Sequence, residues 1–434
     1  MWKKIGGTIG TRYFVALLNL ALIFINARTL GVEGIGWVGL VVASVNIVVI
    51  FNGILCGNTI VYFMNRYPTR LVFCIAYVWA LVGSALATGG LALAGWLPEG
   101  EGWNIYLLAL LNSAVAANSR FLLGKERIKG FNLTFLLQGG LLFFVLLYFY
   151  FGVGKAEAGS YIKGLYITNG VAFLVSLRLL APYLIKTGDE RKNIGNERKK
   201  LALYPLLKEM FAYGLWAGAD NLAEVCTTRV NYFLMERFGG LGSVGLLDAG
   251  TKMSESVWHI NRSVGFIAYE RVASSECADE QCRVTLRLFK LTVVVMTLVM
   301  GGILLIPEWV YTGLLFDADF KGIRGVIIAL SAGIVALGGN SILSQYFIGS
   351  GRVRLSTASS CVGLASLLAS GSWLIPAWGV VGAAISASIA YSAMLLFSLL
   401  AFVHQTGSPW RAFLPSQADW REIRDKVKRK SVSL

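Results

Sequence analysis

Apolar runs of about 20 residues follow one another along almost the whole of this 434-residue chain, and they constrain its fold more than any other feature. A run of this length forms a helix that crosses the roughly 30 Å hydrocarbon layer of a membrane. Only 15% of the residues are charged, whereas soluble domains carry about 25%. With 56% apolar residues and a mean hydropathy of +0.64, the sequence predicts an all-α polytopic membrane protein.

The positions of the runs predict about twelve transmembrane helices arranged as two pseudo-symmetric six-helix lobes around a central cavity. The expected spans are about 8–30, 37–64, 71–97, 103–123, 131–153, 161–185, 209–236, 243–269, 285–311, 323–348, 355–376 and 379–403. One long polar segment near the middle of the chain divides the two sets of six. The predicted domains are an N-terminal lobe, a basic linker, a C-terminal lobe and a basic amphipathic tail, at 1–190, 191–208, 209–403 and 404–434.

A short internal repeat supports the division into two lobes. The segment RTLGVEGIGWVGL, which begins at Arg28, aligns with RFGGLGSVGLLDA, which begins at Arg237, at an offset of 209 residues. Gly31 matches Gly240 and Gly36 matches Gly245. Six spans in each lobe make both lobes enter the membrane from the same side, which predicts a parallel repeat with a cleft between the lobes.

The distribution of lysine and arginine predicts the orientation. With a cytoplasmic N-terminus, the segments on the cytoplasmic side hold 27 of the 39 Lys and Arg residues, and the opposite loops hold five. The positive-inside rule then places both termini in the cytoplasm. Most of the net charge of +15 reflects this asymmetry, so the basic composition gives no reason to expect a nucleic-acid partner.

The predicted eighth span carries an unusual stripe of ionisable residues. Asp248, Lys252, Glu255, His259 and Arg262 recur at spacings of four, three, four and three, which places them on one helical face. A charged side chain at the bilayer centre costs on the order of 3 kcal/mol or more, so this stripe cannot face lipid. It is expected to face protein or a water-filled cavity.

Other predicted spans also carry embedded polar residues. Asp220 and Glu224 share one face of the seventh span, and Arg12, Asn19 and Asn26 lie seven residues apart in the first. The embedded groups have an excess of three positive charges, counted over Arg12, Arg28, Arg120, Arg178, Arg229, Lys252 and Arg262 against Asp220, Glu224, Asp248 and Glu255. An alternative is that Asp248 with Lys252, and Glu255 with Arg262, form structural ion pairs, and that some arginines extend to the membrane surface.

A cationic excess beside carboxylates favours an anionic ligand, with the acids available for a coupling proton or sodium ion. Arginine is suited to phosphate oxygens because its planar guanidinium binds them in a bidentate manner. The sequence has no Walker A motif, no metal-ligand spacing and no paired catalytic nucleophile, so we expect no cofactor, no metal and no enzymatic activity.

Several glycine-rich segments resemble those of polysaccharide and O-antigen flippases of the multidrug/oligosaccharidyl-lipid/polysaccharide exporter superfamily. The segments are ARTLGVEGIGWVGLV, RFGGLGSVGLLDAGTKM, LLFDADFKGIRGVIIALSAGIVALGGNSILSQYFIGSGRVRLS and PAWGVVGAAISASIAYSAMLLF. The resemblance implies two six-helix lobes around a V-shaped cavity. It also implies the ion-coupled flipping of an undecaprenyl-pyrophosphate-linked oligosaccharide to the outer leaflet of a bacterial inner membrane.

Site roles follow from this resemblance and from the charge pattern. The predicted substrate-binding residues are Arg12, Asn19, Lys252, His259 and Arg262. The predicted ion-coupling residues are Asp220, Glu224, Asp248 and Glu255. Two other functions remain open at this point: an ion-coupled exporter of cationic drugs, and a polysaccharide polymerase or ligase on the outer face of the membrane.

Overall fold

The computed structural model describes residues 2–64, 67–125, 127–185, 203–258, 261, 264, 265, 268, 271, 272 and 277–413, and regular structure in this part of the chain is helical throughout. The principal helices are α1 (Trp2–Cys56), α2 (Asn58–Phe63), α3 (Thr69–Leu93), α4 (Gly102–Gly124), α5 (Ile128–Gly139), α6 (Leu141–Leu147), α7 (Ala158–Ile185), α8 (Leu203–Glu255), α9 (Ala278–Leu304), α10 (Ile323–Gly349) and α11 (Val353–Thr406). Short π and 3₁₀ turns connect or extend several of them. Most of the predicted linker 191–208 and of the tail 404–434 lies outside the described residues.

Eight helices in the described part of the chain are long and apolar enough to cross a membrane. Two of these, Phe14–Phe63 and Val353–Thr406, have 50 and 54 residues, about twice the length of one span. Each bends at a glycine and so supplies two spans. Helix α8 has 53 residues and bends in the same way, although its mean hydropathy is lower. Together these helices confirm the prediction of an all-α polytopic membrane protein with about twelve spans.

The bends in α1 and α8 lie at the two glycines that the internal repeat aligns. Gly31 has φ 67° and ψ −179°, and Gly240 has φ 72° and ψ −179°. This backbone region is essentially restricted to glycine because a Cβ atom would clash with the neighbouring peptide group. The arms of α1 on either side of the bend lie close together, since Leu22 and Val38 join one buried cluster with Leu142 of α6.

The second arms of α1 and α8, residues 32–56 and 241–255, meet through the second pair of aligned glycines. A Cβ atom on Gly36 would lie 2.0 Å from the carbonyl oxygen of Leu241, and one on Gly245 would lie 1.8 Å from that of Val32. The two backbones can therefore approach this closely only without side chains. Each glycine approaches the backbone of the opposite helix in the same way, as expected for two repeats related by a two-fold axis.

A second contact between the halves lies near these glycines. Arg28 donates hydrogen bonds to the carbonyl oxygens of Gly313 and Leu314 at 3.2 and 2.5 Å. Beside it, the rings of Phe24 and Phe316 meet edge to face with centroids 5.4 Å apart. Arg28 therefore anchors α1 to the connection between α9 and α10.

Replacement of Gly36 by alanine is expected to destabilise this contact. The added methyl group would displace the backbone at Leu241, and overpacking of this kind costs about 1–3 kcal/mol. Gly53 lies in the same arm of α1 and has no atom within 4 Å of a Cβ position, so Gly53→Ala is the matched control. Thermal unfolding in detergent should show a lower midpoint for Gly36→Ala only. Equal midpoints for the two variants would contradict the close approach.

Candidate functional site

A central cavity of about 540 Å³ lies where the two halves of the chain meet. Its walls come from both arms of α1, from α6 and α7, and from the second arm of α8 and the turn that follows it. The polar and aromatic residues on these walls are Asn19, Asn26, Tyr161, Asp248, Lys252, Glu255, Ser256 and Trp258. Two members of the predicted substrate-binding set, Asn19 and Lys252, are thus brought together. The remainder of the lining is aliphatic.

The helix that carries the charged stripe differs from the prediction. The sequence predicts one continuous span over 243–269, but α8 ends at Glu255 and a turn follows at Ser256 and Val257. The hydroxyl group of Ser256 donates to the carbonyl oxygen of Met253 at 2.7 Å, a local bond that competes with the helical ladder. Such a break is tolerated inside a membrane where it lines a cavity, as this one does.

Asp248 and Lys252 form an ion pair at the cavity wall. The Nζ atom of Lys252 lies 2.6 Å from Oδ2 of Asp248, one helical turn away. The Asp248 side chain is only 2% exposed and packs against Gly39, where a Cβ atom would come within 3.1 Å of its Cγ. Lys252 is 31% exposed, so the buried carboxylate holds an ammonium group that faces the cavity.

Glu255 forms the second ion pair. Its Oε2 atom lies 3.0 Å from Nη2 of Arg229, which reaches it from the first arm of α8. Arg229 also donates to the hydroxyl group of Tyr232 at 2.9 Å. Both members of the pair are largely buried, which removes Arg229 from the group of arginines expected at the membrane surface. The cavity wall is therefore less cationic than the count of embedded charges suggests.

The other two predicted ion-coupling acids lie away from the central cavity. Asp220 is 8% exposed and accepts hydrogen bonds from the hydroxyl groups of Ser356 and Ser360 of α11 at 2.6 and 2.7 Å. Among the described residues no lysine or arginine lies within salt-bridge distance of Asp220. A carboxylate without a cationic partner is costly to bury, so a bound proton or cation would stabilise it.

Glu224 lines a smaller cavity of about 200 Å³, called here the side cavity. Its other polar residues are Asn261, Asn340, Ser341, Ser344, Gln345, Ser360 and, at the edge shared with the central cavity, Trp258. Ser360 connects this cavity to Asp220 because its hydroxyl group bonds to that carboxylate. The side cavity thus brings oxygen atoms from several helices near two acids, a donor set that suits a small cation.

The remaining polar residues of the seventh span have structural partners. Thr227 donates to the carbonyl oxygen of Ala223, and Asn231 donates to that of Ala383 in α11 at 2.6 Å. Buried polar groups in the first half form neutral networks instead. Asn52 donates to Ser84 and Ser113, both at 2.8 Å. The buried carboxylates among the described residues therefore lie in the second half.

Three predicted substrate-binding residues receive no test here. His259, Arg262 and the side chain of Arg12 lie outside the described residues, so their roles stay predictions. Sequence reasoning did not select Tyr161, Trp258, Ser356 or Ser360. The four-residue spacing of the two serines in RLSTASSC was a visible sign of a polar helical face, but their partner Asp220 is more than 130 positions away.

Cysteine labelling tests whether the turn after α8 faces water. Ser256 lines the central cavity, whereas Ser254, two residues earlier, is fully buried. In a background without the six native cysteines, Ser256→Cys should react with a small water-soluble thiol reagent and Ser254→Cys should not. Equal reactivity of the two variants would show that the described wall is not the wet face.

Solved membrane transporters share this fold. The chain matches the inward-facing conformation of a multidrug resistance MATE family transporter of the MOP superfamily with a TM-score of 0.68 and 14% identity, covering 91% of this chain and 94% of that one. An outward-facing conformation of such a transporter gives 0.61 and 14%, with 93% and 94% covered. Lipid II flippase MurJ, in an inward closed conformation, gives 0.62 and 13%, with 93% and 88% covered.

No protein-family model matches the sequence, and no curated protein matches it significantly. The structural matches therefore carry the comparison. They establish that this multi-pass helical membrane protein has the fold of the MOP-superfamily transporters, the superfamily whose glycine-rich segments the sequence resembles. The matches include both a multidrug transporter and a lipid II flippase, so they do not single out the polysaccharide flippases.

Proposed function

We propose that this protein is a flippase that moves an undecaprenyl-pyrophosphate-linked oligosaccharide from the cytoplasmic to the outer leaflet of a bacterial inner membrane. The observation that carries the proposal is the chemistry of the central cavity. The Lys252 ammonium group is 31% exposed and paired with Asp248, and it shares the cavity wall with Glu255 and with neutral amide, hydroxyl and aromatic groups. An ammonium group suits a pyrophosphate, and neutral hydrogen-bonding groups with aromatic rings suit sugar hydroxyls and ring faces.

The two ion pairs bear on the charge of the ligand that the cavity would accept. Asp248 and Glu255 are each engaged by a cation, so neither is available as the free acid that an exporter of cationic drugs would need. The predicted contributions of Arg12, Arg262 and His259 would add positive charge to the same site. This arrangement supports a ligand with an anionic link and a neutral glycan.

The orientation expected from the lysine and arginine count indicates which end of the cavity would face the cytoplasm. With both termini in the cytoplasm, the contacts made by Gly36, Gly245 and Arg28 would lie toward the outer face, where they would close the cavity. The TM-score is also higher for the inward-facing than for the outward-facing MATE conformation. Alternating access would require these contacts to separate.

Reporter fusions test the orientation directly. Fusions at Gly195 in the basic linker and at Ser433 in the tail should report a cytoplasmic location, because basic segments are retained on that side. The basic tail would then lie against the anionic lipids of the inner leaflet. Outer-face activity at either position would reverse the orientation.

Ion coupling is assigned to the second half of the chain. Asp220 and Glu224 would bind a proton or a sodium ion near the side cavity, while the pairs at Asp248 and Glu255 hold the cavity wall in place. Binding of the cation would neutralise the buried carboxylate. The energy of the ion gradient could then reach the central cavity through the same lobe.

Protection of a cysteine from labelling tests the substrate class. A synthetic undecaprenyl-pyrophosphate disaccharide should slow the labelling of Ser256→Cys, since the residue lines the proposed binding site. Ethidium, a cationic drug, and undecaprenol, which lacks the charged and sugar groups, serve as comparisons. Protection by ethidium but not by the disaccharide would support the drug-exporter function instead.

A further inference from the structure

Trp258 lies between the two cavities. It lines the central cavity together with Lys252, Glu255 and Ser256, and it lines the side cavity together with Glu224 and Asn261. Among the described lining residues of these two cavities, Trp258 is the one that they share. Trp258 is therefore the partition between the proposed glycan site and the proposed ion site.

A two-residue turn separates Trp258 from its neighbours on the cavity wall. Lys252 and Glu255 lie in α8, whereas Trp258 is helical again after the turn at Ser256 and Val257. The amide group of Ser256 still bonds to the carbonyl oxygen of Lys252 at 3.0 Å, which ends the helical ladder at this point. The turn thus lies between the residues of the two ion pairs and the indole-bearing residue.

Two buried polar atoms near Trp258 have no hydrogen-bond partner among the described residues. The Nε1 atom of Trp258 is buried and has no hydrogen-bond partner among the described residues. On the side-cavity face, Oδ1 of Asn261 is also buried without a partner, and the residue is 1% exposed. Buried polar atoms of this kind are normally satisfied by protein or by a bound molecule. A small rotation of each side chain would present the indole donor to a ligand hydroxyl group and the amide oxygen to a cation.

From these observations we propose that Trp258 is the residue through which cation occupancy of the side cavity controls glycan affinity in the central cavity. This inference rests on the flippase function proposed above. A cation bound near Glu224 and Asn261 fixes one face of the indole ring, and the glycan packs on the other face. Binding of either ligand orders the ring, so the second ligand to bind loses less conformational entropy. The cation therefore raises the affinity for the glycan, and the glycan raises the affinity for the cation.

A binding experiment on the full chain in detergent separates the two proposals. The affinity for a synthetic undecaprenyl-pyrophosphate disaccharide is measured with and without Na⁺ at fixed pH, and at two pH values without Na⁺. For the wild type we expect one of the two ions to tighten binding by about 5-fold or more, the range typical of coupled sites. Trp258→Ala should still bind the disaccharide, but with an ion effect near 1-fold.

Control variants make this result decisive. Trp103 is 76% exposed and lines neither of the two cavities, so Trp103→Ala should keep the wild-type ion effect. Trp258→Phe keeps an aromatic partition and should retain part of the effect. If Trp258→Ala fails to fold, as judged by size-exclusion chromatography, Trp258→Leu takes its place and should lose the effect that Trp258→Phe retains.

The outcomes that overturn each proposal differ. A wild-type protein that does not bind the disaccharide contradicts the flippase function. A wild-type protein that binds the disaccharide and responds to an ion, with a Trp258→Ala or Trp258→Leu variant that responds equally, contradicts the role of Trp258 alone.

Discussion

Replacement of Asp220 by asparagine is expected to abolish ion-driven transport while the protein still accumulates in the membrane. The carboxylate is buried, and its partners among the described residues are the hydroxyl groups of Ser356 and Ser360. An asparagine side chain has nearly the same shape, can accept from one serine and can donate to the other. The variant therefore keeps the packing but loses the negative charge that would bind a proton or a cation.

Transport of a labelled lipid-linked oligosaccharide in proteoliposomes, with an imposed ion gradient, measures this effect. Asp319 is an exposed acid in the connection between α9 and α10, so Asp319→Asn is the matched control and should transport normally. A normal, equally ion-dependent rate for Asp220→Asn would exclude Asp220 as the coupling acid. Glu224 would then be the remaining candidate at the side cavity.

Replacement of Arg229 by glutamine is expected to produce the largest loss of stability. The change removes the cation from the buried pair with Glu255 and leaves a carboxylate without compensation in a membrane-embedded wall. Breaking a buried pair in this way costs about 3–5 kcal/mol. The double variant Arg229→Gln with Glu255→Gln is neutral at both positions and should recover most of the lost stability.

Thermal unfolding in detergent distinguishes the single from the double variant. Arg237 lies in the same helix but is exposed, so Arg237→Gln should leave the melting temperature unchanged. Equal destabilisation by the single and double variants would mean that the two residues stabilise the fold separately. If the double variant also transports normally, the pair has a structural role only, and the charges that bind substrate lie elsewhere on the cavity wall.

The helical spans and the equivalence of Gly31 and Gly240 could be predicted from the sequence because both depend on local properties. Apolar run length fixes where a helix can cross a membrane, and a backbone with positive φ and extended ψ selects glycine. The repeat aligns these two glycines, but the spans predicted from the sequence end before them, so the continuous bent helices are a finding of the structure. The pairing of Asp248 with Lys252 was also open to prediction, since residues four apart on a helix are neighbours.

The partners of the other site residues could not be predicted in this way. Glu255 pairs with Arg229 from the opposite arm of α8, and Asp220 bonds to α11, so both contacts depend on how helices pack. Helical periodicity identifies a polar face but not the helix that covers it. The break at Ser256 was also missed, because neither proline nor glycine marks it and the local serine bond acts together with tertiary packing.

The most direct test of the proposed function is the translocation of a fluorescent undecaprenyl-pyrophosphate disaccharide in proteoliposomes that contain the purified protein. The disaccharide should move between leaflets only when a proton or sodium gradient is present, and Asp220→Asn should not support this movement. The contradictory result is that the wild-type protein moves no disaccharide under either gradient but accumulates a cationic dye such as ethidium.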